Sequence, residues 1–140
     1  MDVFDRMLEL SRDGFDCAQI LLSLALELDG KSDPDLVRAM GGLSSGIAGG
    51  GDVCGALAGG ACLLSYFAGR GEPDELPHPK LEEMYASLRE WFDGYTAGYG
   101  GASCRCILAG DPRNRIQRCP MVVQSVFEKC FDLLERNGVL

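Results

Sequence analysis

The chain has 140 residues with seven Cys and a single His; 46% of it is hydrophobic, 24% is charged, and the formal charge is −8. That length suits one domain spanning the whole chain and folding without disulfides, and the apolar fraction excludes a disordered chain. The acidic balance argues against nucleic acid as a partner, and one His excludes HExxH motifs and three-His metal sites.

From about Asp2 to Leu28, the residues Phe4, Met7, Leu8, Ile20, Leu21, Leu24, Ala25 and Leu28 recur at three-and-four spacing, which predicts helix. Gly14 marks a kink or a break into two helices. Asp2, Asp5 and Arg6 follow the initiator with no apolar signal region, so a cytoplasmic location is expected. In a reducing compartment, abundant Cys points to metal, cluster or redox work rather than to a disulfide framework. Asp29-Gly30 ends the first stretch, and Ser32-Asp33-Pro34 opens a helix through Leu36, Val37 and Met40. From Ala39 to Gly69 the only charge is Asp52. Gly49-Gly50-Gly51 would break a spanning helix, so no membrane insertion is expected. The stretch reads instead as a helix, a glycine turn and a second helix from Val53 to about Ala68. Its Gly/Ala face, with Gly55 and Gly59, could pack internally or against a second subunit, which leaves a homodimer open.

Pro73, Pro77 and Pro79 make residues 71–79 a loop. The next helix runs from about Lys80 to Ala97, with Leu81, Met84, Tyr85, Leu88, Trp91, Phe92 and Tyr95 on one broad face. The series Trp91, Tyr95, Tyr99 reads as core or a dimer face rather than a cofactor platform. A short turn of helix holds Cys104 to Ala109. The last helix starts at Cys119-Pro120 and stops at Asn137-Gly138. No strand-like alternation occurs. The expected fold class is all-α, a single-domain bundle of five or six helices.

The cysteines divide by setting. Asp52 can cap a helix whose first turn includes Cys54, and a thiol there loses its proton more easily. Cys119 opens the last helix, near the positive segment Arg105, Arg113, Arg115 and Arg118. Those arginines either lower thiol pKa values or balance a neighbouring acidic surface. Cys104 and Cys106 would point to different sides of a helix but to the same side of an extended turn. On spacing alone, Cys17 joins the core side of Ile20, Leu21 and Leu24. Cys62 and Cys130 read as packing residues.

Four segments occur in order: Gly14-Phe15-Asp16-Cys17-Ala18-Gln19, Cys54-Gly55-Ala56-Leu57-Ala58-Gly59, Ser103-Cys104-Arg105 and Cys119-Pro120. Together they resemble the C_GCAxxG_C_C family, bacterial chains of about this length described as redox-active. The resemblance implies that Cys17, Cys54, Cys104 and Cys119 are the redox thiols and ligand set, with Cys106 a substitute for Cys104. Cys62 and Cys130 fall outside the pattern. A similar helical domain in split-Soret cytochromes is associated with an iron–sulfur centre. It implies a cluster here, most simply [2Fe–2S], serving electron transfer to a redox partner protein. No Cys-x-x-Cys-His is present, so the haem does not carry over.

Two other readings stay open. One is a metal-free thiol–disulfide protein using pairs such as Cys17 with Cys54 or Cys104 with Cys119. The other is a structural zinc site, although the usual close Cys pairs are missing. No nucleotide or P-loop motif supports a small-molecule active site, and whether the chain is an enzyme stays open.

Overall fold

Gly14 takes a left-handed backbone at φ +99° and divides the first helical stretch in two. The computed structural model describes residues 2–140. In chain order the α-helices are α1 (Val3–Arg12), α2 (Cys17–Leu28), α3 (Pro34–Met40), α4 (Gly55–Ala68), α5 (Leu81–Thr96), α6 (Cys104–Leu108), α7 (Asn114–Gln117) and α8 (Cys119–Arg136). Short 3-10 turns lie at Gly41–Leu43 and Ala97–Tyr99. The fold is all-helical. An isolated antiparallel bridge between Val53 and Ser103 is the one extended pairing among the described residues.

Among the described residues eight α-helices therefore stand where five or six are expected. The bundle itself is built from α1, α2, α4, α5 and α8, and the surplus is short. The unexpected helix is α7, inside the arginine segment. Its support is polar: Asn114 is buried and its side-chain amide donates to the Leu108 carbonyl at 2.8 Å. One buried amide leaves no hydrophobic period to read.

Four of the eight described α-helix starts, those of α1, α2, α3 and α6, follow capping chemistry. Asp16 accepts the Gln19 N–H and the Gln19 side chain accepts the Asp16 N–H, both at 3.2 Å, which is a full capping box. Asp33 accepts the Leu36 N–H at 3.1 Å, and Pro34 opens α3. Ser103 accepts the Cys106 N–H at 3.1 Å and starts α6.

Helix α2 is the centre, with Ala18, Leu21, Leu22 and Ala25 all buried. Its close neighbour α4 approaches through glycine: a Cβ on Gly59 would lie 2.9 Å from Ala18 Cα. On another side of α4, a Cβ on Gly60 would lie 2.5 Å from Val126 Cγ1 of α8. The Gly/Ala face thus packs inside the molecule. Met84, Leu88 and Phe92 of α5 join Val122, Val126, Cys130 and Leu134 of α8 in the same core. Trp91 and Tyr95 stack at 5.1 Å and pack half-buried against it. Among the described residues, no helix is long and apolar enough to cross a membrane.

Between α3 and α4 the glycine turn is more elaborate than the sequence suggests. Ser45, Gly46, Ile47, Ala48, Gly49 and Gly51 all take positive φ. The N–H groups of Ala48, Gly49, Gly51 and Asp52 donate to the carbonyls of Gly42, Ser44, Ser45 and Gly46. The chain coils left-handed here, and glycine removes the steric penalty at only part of it.

Candidate functional site: four cysteines at helix starts

The cysteines sort by position along helices. Cys17, Cys104 and Cys119 are the first residues of α2, α6 and α8, and Cys54 is the residue just before α4. Cys62, Cys106 and Cys130 lie inside helices. Sequence reasoning finds two helix starts among the first four; the structure has all four there.

Backbone pairing ties together the segments that carry two of them, Cys54 and Cys104. The Cys104 N–H donates to the Asp52 carbonyl at 2.7 Å, and the Arg105 N–H donates to the Gly51 carbonyl at 3.1 Å. The Arg105 guanidinium adds a bond to the Gly50 carbonyl at 3.0 Å. Asp52 therefore anchors α6 rather than capping α4. Helix α4 starts at Gly55, two residues later than expected, because Val53 is drawn into the bridge with Ser103. Cys54 itself occupies the cap position and makes no side-chain capping bond. Cys17 approaches from α2: its Sγ would lie 2.6 Å from a Cβ built on Gly55. The absent side chain at Gly55 is what admits this sulfur.

The Cys17, Cys54 and Cys119 thiols are held protonated, against expectation. Burial first, then the Cys54, Asp16 and Cys119 charges, push Cys17 up to about 12, with the Ala18 N–H opposing. Burial raises Cys54; the Ala56 and Leu57 N–H groups pull it down, and Cys104 adds a smaller rise. Burial, Cys54 and Cys104 push Cys119 up to about 11, and Arg115 pulls it down. Helix-end N–H groups and an arginine do act in the expected direction. Removal from water outweighs them. The four cysteines also influence one another: Cys17 feels Cys54 and Cys119, and Cys104 acts on both Cys54 and Cys119.

The arginine segment does not act as a unit. Arg113 pairs with Asp111 at 2.8 Å. Arg118 donates to the Ile107 carbonyl at 2.9 Å and lies over the Tyr99 ring at 4.8 Å. Arg115 alone among them acts on a cysteine, and it donates to Ser45 Oγ at 3.1 Å.

The remaining cysteines are placed apart. Cys106 sits on α6 with its sulfur 3.1 Å from a Cβ built on Gly101. Cys62 packs partly buried against Ala18, Leu22 and Met40. Cys130 is fully buried and its thiol donates to the Gly60 carbonyl at 3.4 Å. Among the described residues, no three His, Cys, Asp or Glu side chains are gathered closely enough to hold a single metal ion. A cavity of about 200 Å³ opens beside Cys17 and Cys119. Sequence reasoning passes over three contributors here: Gly55 as seat of a sulfur, Asp16 with Gln19 as the box that positions Cys17, and the Ser45–Arg115 link. The Asp-x-x-Gln spacing could have revealed the second. Nothing local signals the third.

Fold and site together define an all-α protein with four cysteines at helix starts. The family model "Putative redox-active protein (C_GCAxxG_C_C)" matches residues 15–133, and the chain belongs to that family. Comparison with curated proteins and with solved structures gave no match.

Proposed function

We propose that this is a small redox protein of the reducing cytoplasm in which Cys17, Cys54, Cys104 and Cys119 hold an iron–sulfur cluster, most simply [2Fe–2S]. When bound, the cluster would supply one-electron transfer to a partner protein. The observation that carries this reading is the placement of four cysteines at four helix starts, near enough for their charges to act on one another.

The donor set fits in kind. Four cysteines are the usual complement for such a cluster. Buried thiols that raise one another's pKa are poor sources of free thiolate. An iron centre reverses that by bringing positive charge, and the thiols then release their protons on binding. Helix-end N–H groups favour the resulting anions. The gap in side chains at Gly55 leaves Cys17 room to turn. A tetrahedral zinc ion is less well supported, since zinc sites usually draw their ligands from close Cys-x₂₋₄-Cys pairs and this chain has none. Metal-free exchange is weakened too, because it needs an exposed thiolate.

Anaerobic purification, iron and sulfide analysis, and visible and EPR spectra test this. Changing any of Cys17, Cys54, Cys104 or Cys119 to Ser should lower iron content sharply. C62S, C106S and C130S should keep it. A colourless protein with no iron after reconstitution, or stoichiometric zinc in its place, overturns the reading.

A further inference from the structure

We infer that the cavity beside Cys17 and Cys119 is a binding site for a small apolar molecule carrying a negatively charged head, which Arg115 recognises. The cavity measures about 200 Å³, room for several water volumes of roughly 30 Å³ each and so for a compact organic molecule. Its walls include Leu8, Phe15, Ile20 and Val123, all apolar. Small-molecule sites combine such walls with a few convergent polar groups.

Arg115 supplies the polar end. It is exposed, and its hydrogen bond goes to the neutral Ser45 hydroxyl, so no carboxylate among the described ion pairs balances its charge. Arg113, two residues away, is spent on Asp111. Asp16 also borders the cavity; its carboxylate accepts the Gln19 N–H within the capping box and keeps its negative charge, which turns an anionic head away from that wall and toward Arg115. That leaves a cation at the mouth, an apolar interior, and two cysteines on the wall. An anionic head on Arg115 would bring the body of the ligand against Cys17 and Cys119. A hydrophobic carboxylate satisfies both ends. The binding claim stands on the cavity itself; its meaning as the place where a small redox substrate meets the cysteines rests on the redox reading above.

The test uses hexanoate, with hexanol as its uncharged counterpart, on the purified full chain. Binding is followed by NMR shifts of the Ile20 and Val123 methyls and the Arg115 side chain. Hexanoate should saturate these shifts and bind more tightly than hexanol. R115Q should weaken hexanoate about tenfold, the loss of one charge-assisted bond, and leave hexanol unchanged, with R115K in between. L8W, at a half-buried wall position, should block both ligands. Equal affinity for the two ligands, hexanoate binding indifferent to R115Q, or no saturable shift at all would each overturn the inference. Iron analysis of the same samples separates the two ideas: hexanoate binding without iron defeats only the cluster, and iron without hexanoate binding defeats only the ligand site.

Discussion

Two glycines of α4 illustrate how one atom per residue can serve different ends. Gly55 admits the Cys17 sulfur, whereas Gly60 admits Val126 and Cys130 of the core. G60A should therefore cost about 1–3 kcal/mol in urea unfolding through overpacking and leave iron binding intact in the surviving folded protein. G55A should do the reverse, lowering iron content well beyond any change in the unfolding midpoint. Cys130 offers a pH prediction. Its burial pushes the thiol from 9.0 up to about 12. The folded state thus holds that proton more tightly than the unfolded chain does. Its contribution to stability is complete below about pH 9 and is lost as pH rises toward about 12. C130A should make the decline in urea midpoint above pH 9 shallower, though not flat, because Cys17 and Cys119 shift the same way. Sequence alone separates Cys130, set in an apolar helical stripe, from the others. It cannot show that burial overrides the helix-end field at Cys54, since burial depends on what packs over the residue.

At the level of elements, periodicity and caps reveal the long helices almost to the residue. The helix expected from about Lys80 to Ala97 is Leu81–Thr96, and the one expected from Cys119 begins there. The misplacements share a cause, which is partners distant in sequence. Val53 leaves α4 because Ser103 pairs with it, and α7 forms around an amide that reaches back to Leu108. The left-handed coil between α3 and α4 is hidden for another reason. Its glycines announce a turn, but Ser45, Ile47 and Ala48 adopt the same backbone against their preference. Ile47 is 46% exposed, so its side chain adds little packing to offset that strain. I47G should consequently cost no stability. E128G, at an exposed site in the middle of α8, should cost about 1 kcal/mol, the usual penalty for glycine inside a helix. Thermal or urea unfolding of the two variants side by side decides it.

Across the whole molecule, an all-helical fold was readable from the pattern of apolar residues, and the family from four short motifs. The meeting of those motifs was not readable, because it depends on α2 against α4 and on the α6 segment against the strand-like run before α4. Composition could suggest only that cysteine mattered. The three-dimensional arrangement adds a simple rule: the cysteines of the family pattern stand where helices begin, and the others stand within helices.

The pairing of Val53 with Ser103 has a consequence for biosynthesis. The ribosome delivers Cys17, Cys54 and Cys104 before Cys119. Backbone bonds alone can align the second and third, with no need of a metal. The fourth comes only with the start of α8, which must then dock on the helices already made. Cys119 thus joins the other three only once α8 has docked, so a chain cut short before residue 119 keeps the Val53–Ser103 pairing partners and lacks the fourth cysteine.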